Sequence, residues 1–389
     1  MKKILFITPQ NPENADMGDK KYTWDILNAL KYKDDVFIHV VSYLEDSEKD
    51  LQYHKLDSLV DRVTYVPFHR KRPWQMALSF YPASISHRKT KAMVNRVCEV
   101  LEKEEYDVIV VNMFRMAYLI NSISCYPGKK VHISHNVEYL VSKSIYQHSR
   151  SVIHKLAYWL DFLKTKYWER AFLSHYDAVT AICDMDSEEL SRYLERGIIP
   201  VIRPVVDVGS YEQLNPHTRQ LIVCGSFTWL PKRINILNVL NSKSIGLLSQ
   251  AGARLVVAGR ADEEVIQIGN SIPNVTVTGF VESVAPYYNV SEVALVPEQS
   301  GGGFKLKIAE AVHFNLPIVA IKGAVTDRSM KAGKHFLEAQ DFDDLIELGI
   351  KLIENRERQE QLVKNSKELF ASNYSVKTIH ERLMTILFD

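Results

Sequence analysis

The stretch of this chain that decides its fold reads VPEQSGGGFKLKIAEA and spans residues 296–311. An apolar strand ends at Val296, three glycines follow at 301–303, and a helical pattern begins near Phe304. Glycines let a ligand approach the backbone closely, and the N–H groups at a helix start favour an anion such as a diphosphate. The stretch predicts an anion site at a strand-to-helix turn. A glycine-rich turn into a surface helix is the alternative.

The charged side chains beside this turn suit a nucleoside diphosphate. Lys305 and Lys307 bring positive charge to the helix start. Glu310 lies about two turns into the helix, where its carboxylate can accept hydrogen bonds from ribose hydroxyls. A solvated Lys/Glu face on a surface helix would give the same pattern.

Short apolar runs alternate with helical patterns along the whole chain. Buried strands are predicted at 3–8, 36–41, 63–67, 108–112, 131–134, 178–182, 200–202, 221–224, 254–258, 275–278, 293–296 and 318–320. Helices are predicted at 22–30, 89–104, 152–173, 304–314, 342–355 and about 378–388. This alternation predicts an α/β fold with parallel sheets, which bind ligands at the carboxyl ends of their strands.

Length and composition narrow the class of protein. The 389 residues suit two domains, and the boundary is expected near 203–215, around Pro204 and Gly209. A hydrophobic content of 46% and a net charge of +1 argue against disorder and against a dedicated nucleic-acid binder. The four cysteines form no CxxC pair, so we expect no metal or redox motif and a cytoplasmic location.

The segment VHFNLPIVA at 312–320 completes a pattern that resembles family 4 of the retaining glycosyltransferases, which have the GT-B fold. Five further segments agree in order: ISHNVEY at 133–139, YDAVTAICDMDSE at 176–188, LIVCGSFTWLP at 221–231, LVVAGR at 255–260 and VTVTGFV at 275–281. The resemblance implies an α/β protein with two Rossmann-like domains facing a central cleft. It also implies an acceptor domain at 1–203, a nucleotide-sugar domain at 204–370, and a final helix at 371–389 that crosses back.

The resemblance assigns the donor site residue by residue. Glu310 matches the ribose-binding carboxylate, the second of a Glu-x7-Glu pair whose first position is Gly302 here. Backbone N–H groups of Gly302, Gly303 and Phe304 are then expected to contact the donor sugar, with Glu298 as the alternative. The remaining donor contacts are expected at Gly225, Ser226, Arg260, Phe280 and Lys305.

Two lysines are expected to be catalytic. Lys232 keeps the family's lysine position, whereas the family's arginine is Ser226 here. Lys232 and Lys307 would neutralise the leaving diphosphate. The resemblance implies that no bound metal or cofactor is needed. Asp184-Met185-Asp186, the nearest match to Asp-x-Asp, precedes a helix and is interpreted as an N-cap.

On the acceptor side, His135 resembles the histidine that faces the sugar and phosphates, and it is the third expected catalytic residue. Glu138 and Gly18 are the other acceptor-side candidates. A satisfied core histidine and an ordinary turn before a helix are the alternatives for His135 and Gly18.

A basic run at 69–91 contains Trp74, Phe80 and Tyr81. It fits peripheral contact with the inner face of a membrane and, equally, a solvated basic loop. A membrane-spanning helix is not expected, because no run approaches about 18 apolar residues.

The resemblance predicts a transferase that moves a hexosyl group, with retention, from a nucleoside-diphosphate sugar to a glycan, lipid-linked or small acceptor in polysaccharide biosynthesis. A dehydrogenase is disfavoured, because no GxGxxG follows the first strand. A sugar-nucleotide 2-epimerase stays open. So does a non-catalytic binding or scaffold subunit, because Gly302 and Ser226 replace the family's Glu and Arg.

Overall fold

A computed structural model describes residues 1–13, 18–45, 54–71, 79–149, 151–208, 217–298 and 303–389. The chain divides into two units. Unit 1 comprises Met1–Val205 and Val376–Asp389, and unit 2 comprises Val206–Ser375.

Unit 1 alternates strands with helices over most of its length. Its strands are β1 (Lys2–Thr8), β2 (Val36–Glu45), β3 (Arg62–Phe68), β4 (Val108–Asn112), β5 (Lys129–Ile133) and β6 (Ala178–Thr180). Its helices are α1 (Gly18–Leu30), α2 (His54–Leu59), α3 (Ala83–Arg88), α4 (Lys91–Lys103), α5 (Ile120–Ile123), α6 (Glu138–His148), α7 (Val152–Leu173) and α8 (Asp184–Leu194).

The unit 1 sheet has the order β3-β2-β1-β4-β5-β6, and every neighbouring pair is parallel. The central strand β1 aligns Ile4 with Ile38 of β2 and with Val108 of β4. These strands are apolar on both faces because helices cover both faces, as expected for a parallel sheet.

Two predicted elements of unit 1 differ in the structure. The strand at 200–202 is a single bridge between Ala181 and Val201. The helix predicted at 89–104 is α4 at Lys91–Lys103, because Thr90 is extended and its side chain accepts a hydrogen bond from Met93 N at the start of α4. Thr90 is therefore an N-cap that ends one helical run and begins the next.

Unit 2 repeats the alternation. Its strands are β7 (Gln220–Cys224), β8 (Arg254–Ala258), β9 (Val275–Val277), β10 (Val293–Val296), β11 (Ile318–Ile321) and β12 (Leu337–Ala339). Its helices are α9 (Leu230–Leu240), α10 (Leu247–Gln250), α11 (Glu263–Asn270), α12 (Ala285–Asn289), α13 (Leu306–His313), α14 (Phe342–Ile353) and α15 (Arg356–Asn373). The parallel sheet has the order β12-β11-β10-β7-β8-β9. Two six-stranded parallel sheets with helices confirm the predicted two-domain α/β class.

The last helix, α16 (Val376–Phe388), belongs to unit 1. It buries Ile379, Leu383 and Leu387, and it packs on α1, where His380 Nδ1 lies 2.9 Å from the carbonyl oxygen of Ala29. Within the described ranges, every helix is too short or too polar to cross a membrane.

We expect Leu383→Ala to destabilise unit 1 by about 2–5 kcal/mol, because Leu383 is only 1% exposed and its removal leaves a cavity. Hydrogen exchange should accelerate in α1 more than in α9. The exposed Thr385 in the same helix provides the control, since Thr385→Ala should leave exchange unchanged. Equal exchange in the two variants would contradict the role given to this helix.

Candidate functional site

The strand order of unit 2 reverses between β7 and β10. These two strands are parallel neighbours, with Ala294 beside Ile222. From β7 the chain adds β8 and β9 on one side, and from β10 it adds β11 and β12 on the other. The loops that leave two such strands diverge and create a crevice at the carboxyl ends, where α/β sheets bind ligands.

Each strand at this reversal leads to a helix with a lysine in its first turn. Lys232 is the third residue of α9, which follows β7, and Lys307 is the second residue of α13, which follows β10. Pro231 stands at the start of α9, where its missing N–H costs no hydrogen bond. Two helix N-termini and two lysines therefore give this edge of the sheet a positive character.

Lys307 forms a buried ion pair with Glu298, which follows β10. The lysine is 9% exposed and the glutamate 3% exposed, and Lys307 Nζ donates to Oε1 of Glu298. The other carboxylate oxygen, Oε2, has no hydrogen-bond partner among the described residues. Lys307 Nζ lies 3.5 Å from the position that a Cβ on Gly225 would occupy. The Lys307 charge is therefore already balanced.

Lys232 has a different environment. Burial lowers the pKa of Lys232, and the nearby positive charges of Lys307 and Lys305 lower it further, while Glu298 and Glu310 oppose the shift. In the described part of the chain, no carboxylate lies within ion-pair distance of Lys232. A bound anion would stabilise its charged form.

Glu310 is held by a neutral donor. Its Oε2 accepts a hydrogen bond of 3.0 Å from the Tyr288 hydroxyl, and the Tyr288 ring stacks on Phe314 at 4.8 Å between centroids. Burial raises the pKa of Tyr288, and Glu310 raises it further, so the phenol stays protonated. Burial likewise raises the pKa of the neighbouring Cys224 thiol to about 12. The Glu310 carboxylate is thus oriented by packed neighbours.

The loops after β7 and β8 touch at two glycines. Gly259 has a φ of +125°, and a Cβ there would lie 2.0 Å from the Gly225 carbonyl oxygen. Phe227 N donates to the Arg260 carbonyl at 2.7 Å, and the Arg260 guanidinium lies 5.1 Å from the Phe280 ring centroid. Phe280 is 66% exposed, and Ser226 is exposed as well.

The glycine turn is described only from Gly303 onward, so Gly302 lies outside the described residues. The Gly303 carbonyl accepts a hydrogen bond of 3.1 Å from Thr326, and the Phe304 ring packs against Tyr374 at 5.6 Å between centroids. The helix predicted to begin near Phe304 begins at Leu306, because Lys305 is extended. The Phe304 side chain therefore packs within unit 2.

Unit 1 has the same reversal between β1 and β4. Asn112, the last residue of β4, donates from Nδ2 to the hydroxyls of Thr8 at 3.3 Å and Thr23 at 2.9 Å. Its Oδ1 lies 2.8 Å from His135 Nε2, and the Tyr22 ring meets the imidazole edge at 4.8 Å. The orientation of His135 is therefore fixed.

Burial lowers the pKa of His135 to about 3, and the positive charge of Arg115 lowers it further. The imidazole is therefore neutral at physiological pH. It can exchange a hydrogen bond with a ligand, but it supplies no positive charge.

Glu138, the first residue of α6, lies beside a second acid. The backbone N–H groups of Glu138 and Tyr139 donate to the two carboxylate oxygens of Glu169, at 2.8 and 2.9 Å. Burial and the Glu138 charge raise the pKa of Glu169 to about 8. Burial also raises the pKa of Glu138, which Arg115 opposes.

Arg115 connects the acceptor-side candidates of unit 1. Its guanidinium lies 3.7 Å from the Asp19 carboxylate, next to Gly18 at the start of α1, and its charge acts on both His135 and Glu138. Arg115 was not predicted, because it lies in a short 3-10 helix at Phe114–Leu119 rather than in a recognisable motif.

Other residues of the two sites were not predicted either, although the sequence pattern around some of them could have indicated a role. Asn112 is the polar last residue of the apolar strand VIVVN. Tyr288 had no signal, since it lies in the five-residue helix α12. Asp184 is not an N-cap: Cys183 holds that position, and Asp184 pairs with Arg203 at 2.8 Å.

Part of this chain matches a known family of proteins. Residues 218–355 match the family model described as glycosyl transferases group 1. A relative described as an uncharacterized 44.6 kDa protein in the cps region of Klebsiella pneumoniae is 20% identical over 400 aligned residues, covering 97% of this chain and 98% of the relative.

Solved structures share the fold over nearly the whole chain. Sucrose-phosphate synthase from Thermosynechococcus elongatus is 16% identical with a TM-score of 0.73, covering 99% of this chain and 98% of that one. Anabaena HepE in complex with UDP and glucose is 14% identical with a TM-score of 0.69, covering 99% of each chain. A mutant of S. aureus TarM in complex with fondaparinux, alpha-GlcNAc-glycerol and UDP is 11% identical with a TM-score of 0.68, covering 100% of each chain.

The predicted GT-B fold is therefore confirmed. The match over residues 218–355 supports a glycosyltransferase, and the solved structures show its fold.

Proposed function

We propose that this chain is a retaining glycosyltransferase of family 4 that moves a hexosyl group from a nucleoside-diphosphate sugar to a saccharide or lipid-linked acceptor. Unit 2 binds the donor, and unit 1 binds the acceptor. The observation that carries the proposal is the pair of lysine-bearing helix starts at the reversal between β7 and β10.

The charges at this edge of unit 2 favour a diphosphate. Lys232, Lys305 and Lys307 act together with Glu298 and Glu310, which leaves one net positive charge among the five side chains. Since Lys307 is balanced by Glu298, Lys232 and Lys305 remain as the other two cations, and Lys232 is the buried one. Lys232 is accordingly the residue that stabilises the leaving diphosphate as negative charge grows on it.

Glu310 has a separate role in this proposal. Tyr288 occupies one of its carboxylate oxygens, and the other is left to accept hydrogen bonds from the two ribose hydroxyls. The exposed ring of Phe280, with Arg260 beside it, provides an apolar surface for the base. Gly225, Ser226, Gly302, Gly303 and the backbone of Phe304 are the remaining proposed donor contacts.

On the acceptor side, His135, Glu138 and Gly18 remain the proposed contacts. A neutral His135 suits hydrogen bonding to a sugar hydroxyl rather than charge stabilisation. Retention would follow from front-face displacement, in which the leaving diphosphate oxygen accepts the proton of the acceptor hydroxyl.

Two of the structural neighbours support a nucleotide-sugar donor and a saccharide acceptor. One neighbour was solved with UDP and glucose, and another with UDP and saccharides. The relative from a cps region supports a role in polysaccharide biosynthesis.

The direct test is turnover with a panel of UDP-, GDP- and dTDP-sugars, with and without saccharide acceptors, followed by determination of the product's anomeric configuration. Transfer with retention supports the proposal. Interconversion of the nucleotide sugar without an acceptor would assign an epimerase. Binding without turnover would assign a non-catalytic subunit.

Replacing Glu310 with alanine should weaken UDP binding by about 1.5–3 kcal/mol, the range for hydrogen bonds to a charged group. Isothermal titration with UDP measures the change. Tyr288→Phe keeps the ring stack and removes only the hydroxyl, so it should cost less. The exposed Glu357 provides a matched control, because Glu357→Ala should bind UDP as the parent does. Unchanged affinity in folded Glu310→Ala would refute the ribose role.

Substituting Lys232 should change the kinetics of transfer, whereas substituting Lys307 should change the stability of the fold. Lys232→Met should lower kcat by about 100- to 1,000-fold with a smaller change in KM, because the lost charge acts mainly in the transition state. Lys351→Met, at a position 68% exposed, is the control for a lysine change. If Lys232→Met changes KM alone, Lys232 contributes only to ground-state binding.

Lys307→Met should instead unfold more easily by about 3–5 kcal/mol, since it leaves Glu298 buried and unpaired. Denaturant unfolding of Lys307→Met, Glu298→Gln and the double variant measures the coupling. The double variant should be more stable than the sum of the two single losses predicts. Additive losses would mean that the two side chains do not interact.

A further inference from the structure

The first half of α7 exposes a stripe of apolar side chains. Every described side chain from residue 153 to residue 160 is exposed. The largest exposed apolar side chains on the helix are Ile153 at 82%, Leu156 at 60%, Trp159 at 40%, Leu160 at 46%, Leu163 at 42% and Tyr167 at 64%. Helical periodicity ordinarily places such a stripe against a core, but here nothing in the described chain covers it.

The far end of the same helix is anchored. Phe172 and Leu173 are buried in the core of unit 1, and Glu169 binds the start of α6. The helix α6 packs alongside α7, and the rings of Tyr146 and Phe162 stack with their centroids 6.5 Å apart. The exposed half is therefore the tip of a helical hairpin whose base is fixed.

Phe80 extends this apolar surface. It is 74% exposed, and its ring meets the edge of Trp168 at 5.4 Å. Trp168 Nε1 donates to the Phe80 carbonyl at 3.2 Å, and Lys164 Nζ donates to the Ser79 carbonyl at 2.6 Å. The segment before α3 is thus tied to α7, and the two present one surface.

Few charged side chains of the basic run at 69–91 lie beside this surface. Arg88 is buried and pairs with Glu45 at 2.7 Å, which also holds Arg70 at 2.9 Å. Residues 72–78, including Trp74, lie outside the described residues. Beside Tyr81, however, a cavity of about 280 Å³ is lined by Lys71, Lys89 and Lys91, and Lys89 Nζ lies 3.9 Å from the Tyr81 ring centroid.

The charges on α7 indicate which kind of partner fits this surface. The exposed basic side chains on this helix are His154, Lys155, Lys166 and Arg170, of which Arg170 pairs with Glu195 at 2.6 Å, and neither of the two carboxylates on the helix is exposed. The two acids face inward, since Asp161 accepts from Ala83 N at 2.7 Å and Glu169 binds the start of α6. A second copy seated on this face would set like charges together, whereas an anionic lipid surface would complement them.

We infer that the exposed half of α7, together with Phe80, inserts into the interface of a membrane rich in anionic lipids. The aliphatic side chains enter the acyl boundary, and Tyr158, Trp159 and Tyr167 lie at the headgroup level that tyrosine and tryptophan prefer. Lys155, Lys166 and the lysines beside Tyr81 contact anionic headgroups. This surface is separate from the residues proposed for sugar transfer, so its test requires no activity.

The test is co-sedimentation of the full chain with vesicles of phosphatidylcholine alone, or of phosphatidylcholine and phosphatidylglycerol in equal parts. We expect binding to the mixed vesicles, weakened by added salt. Leu156→Glu combined with Leu160→Glu should lower vesicle affinity by at least roughly 100-fold, the loss expected for withdrawing two leucines from an apolar phase. Ile198→Glu is the control, because Ile198 is 95% exposed and lies elsewhere on unit 1.

Tryptophan fluorescence gives a second readout that a loss of folding would not imitate. Emission should shift to the blue on mixed vesicles, and Trp159→Phe should remove most of the shift while sedimentation persists. Equal vesicle binding by the double variant and the parent would overturn the proposal, as would an absence of binding by the parent. A parent dimer that the double variant converts to a monomer, with no vesicle binding, would assign the surface to a second copy.

Discussion

The parallel pairing of β7 with β10 is the contact on which the candidate donor site depends. These strands are adjacent in space but separated in the chain by β8 and β9, so sheet growth proceeds outward from them in both directions. Their two loops must then leave the sheet on opposite sides, and α9 and α13 begin next to the same crevice. The positions of Lys232, Lys307 and Glu298 all follow from this single reversal. The same reversal between β1 and β4 organises Asn112 and His135 in unit 1.

The two sites use charge differently. In unit 2, a buried lysine is balanced by a buried glutamate, and a second lysine is left with a lowered pKa and no carboxylate beside it in the described chain. In unit 1, the imidazole is neutral, and Arg115 is the main source of positive charge around it. Under the proposed function, the charges in unit 2 would match a polyanionic donor, whereas the neutral imidazole in unit 1 would suit an uncharged, hydroxyl-rich acceptor.

Most of the fold could be predicted from local pattern. Apolar β-branched runs marked most strands, because a parallel sheet buries both faces of each one. Contacts across long sequence separations could not be predicted: Tyr288 meets Glu310 only because α12 and α13 flank β10. Capping was not predicted either: the N-cap Thr90 starts α4 at Lys91, two residues later than the predicted helix start. The stripe on α7 shows that periodicity predicts which residues share a helix face, but not what covers that face.

The assignment of α16 to unit 1 has a consequence for how the chain is made. Residues 376–388 are synthesised after all of unit 2, yet they cover α1, which is among the first segments to leave the ribosome. During synthesis, that apolar face of α1 stays uncovered while about 170 residues of unit 2 emerge and fold. Vectorial synthesis therefore completes the second unit before the first, and a ribosome that stalls late releases a chain in which only unit 2 has its full core.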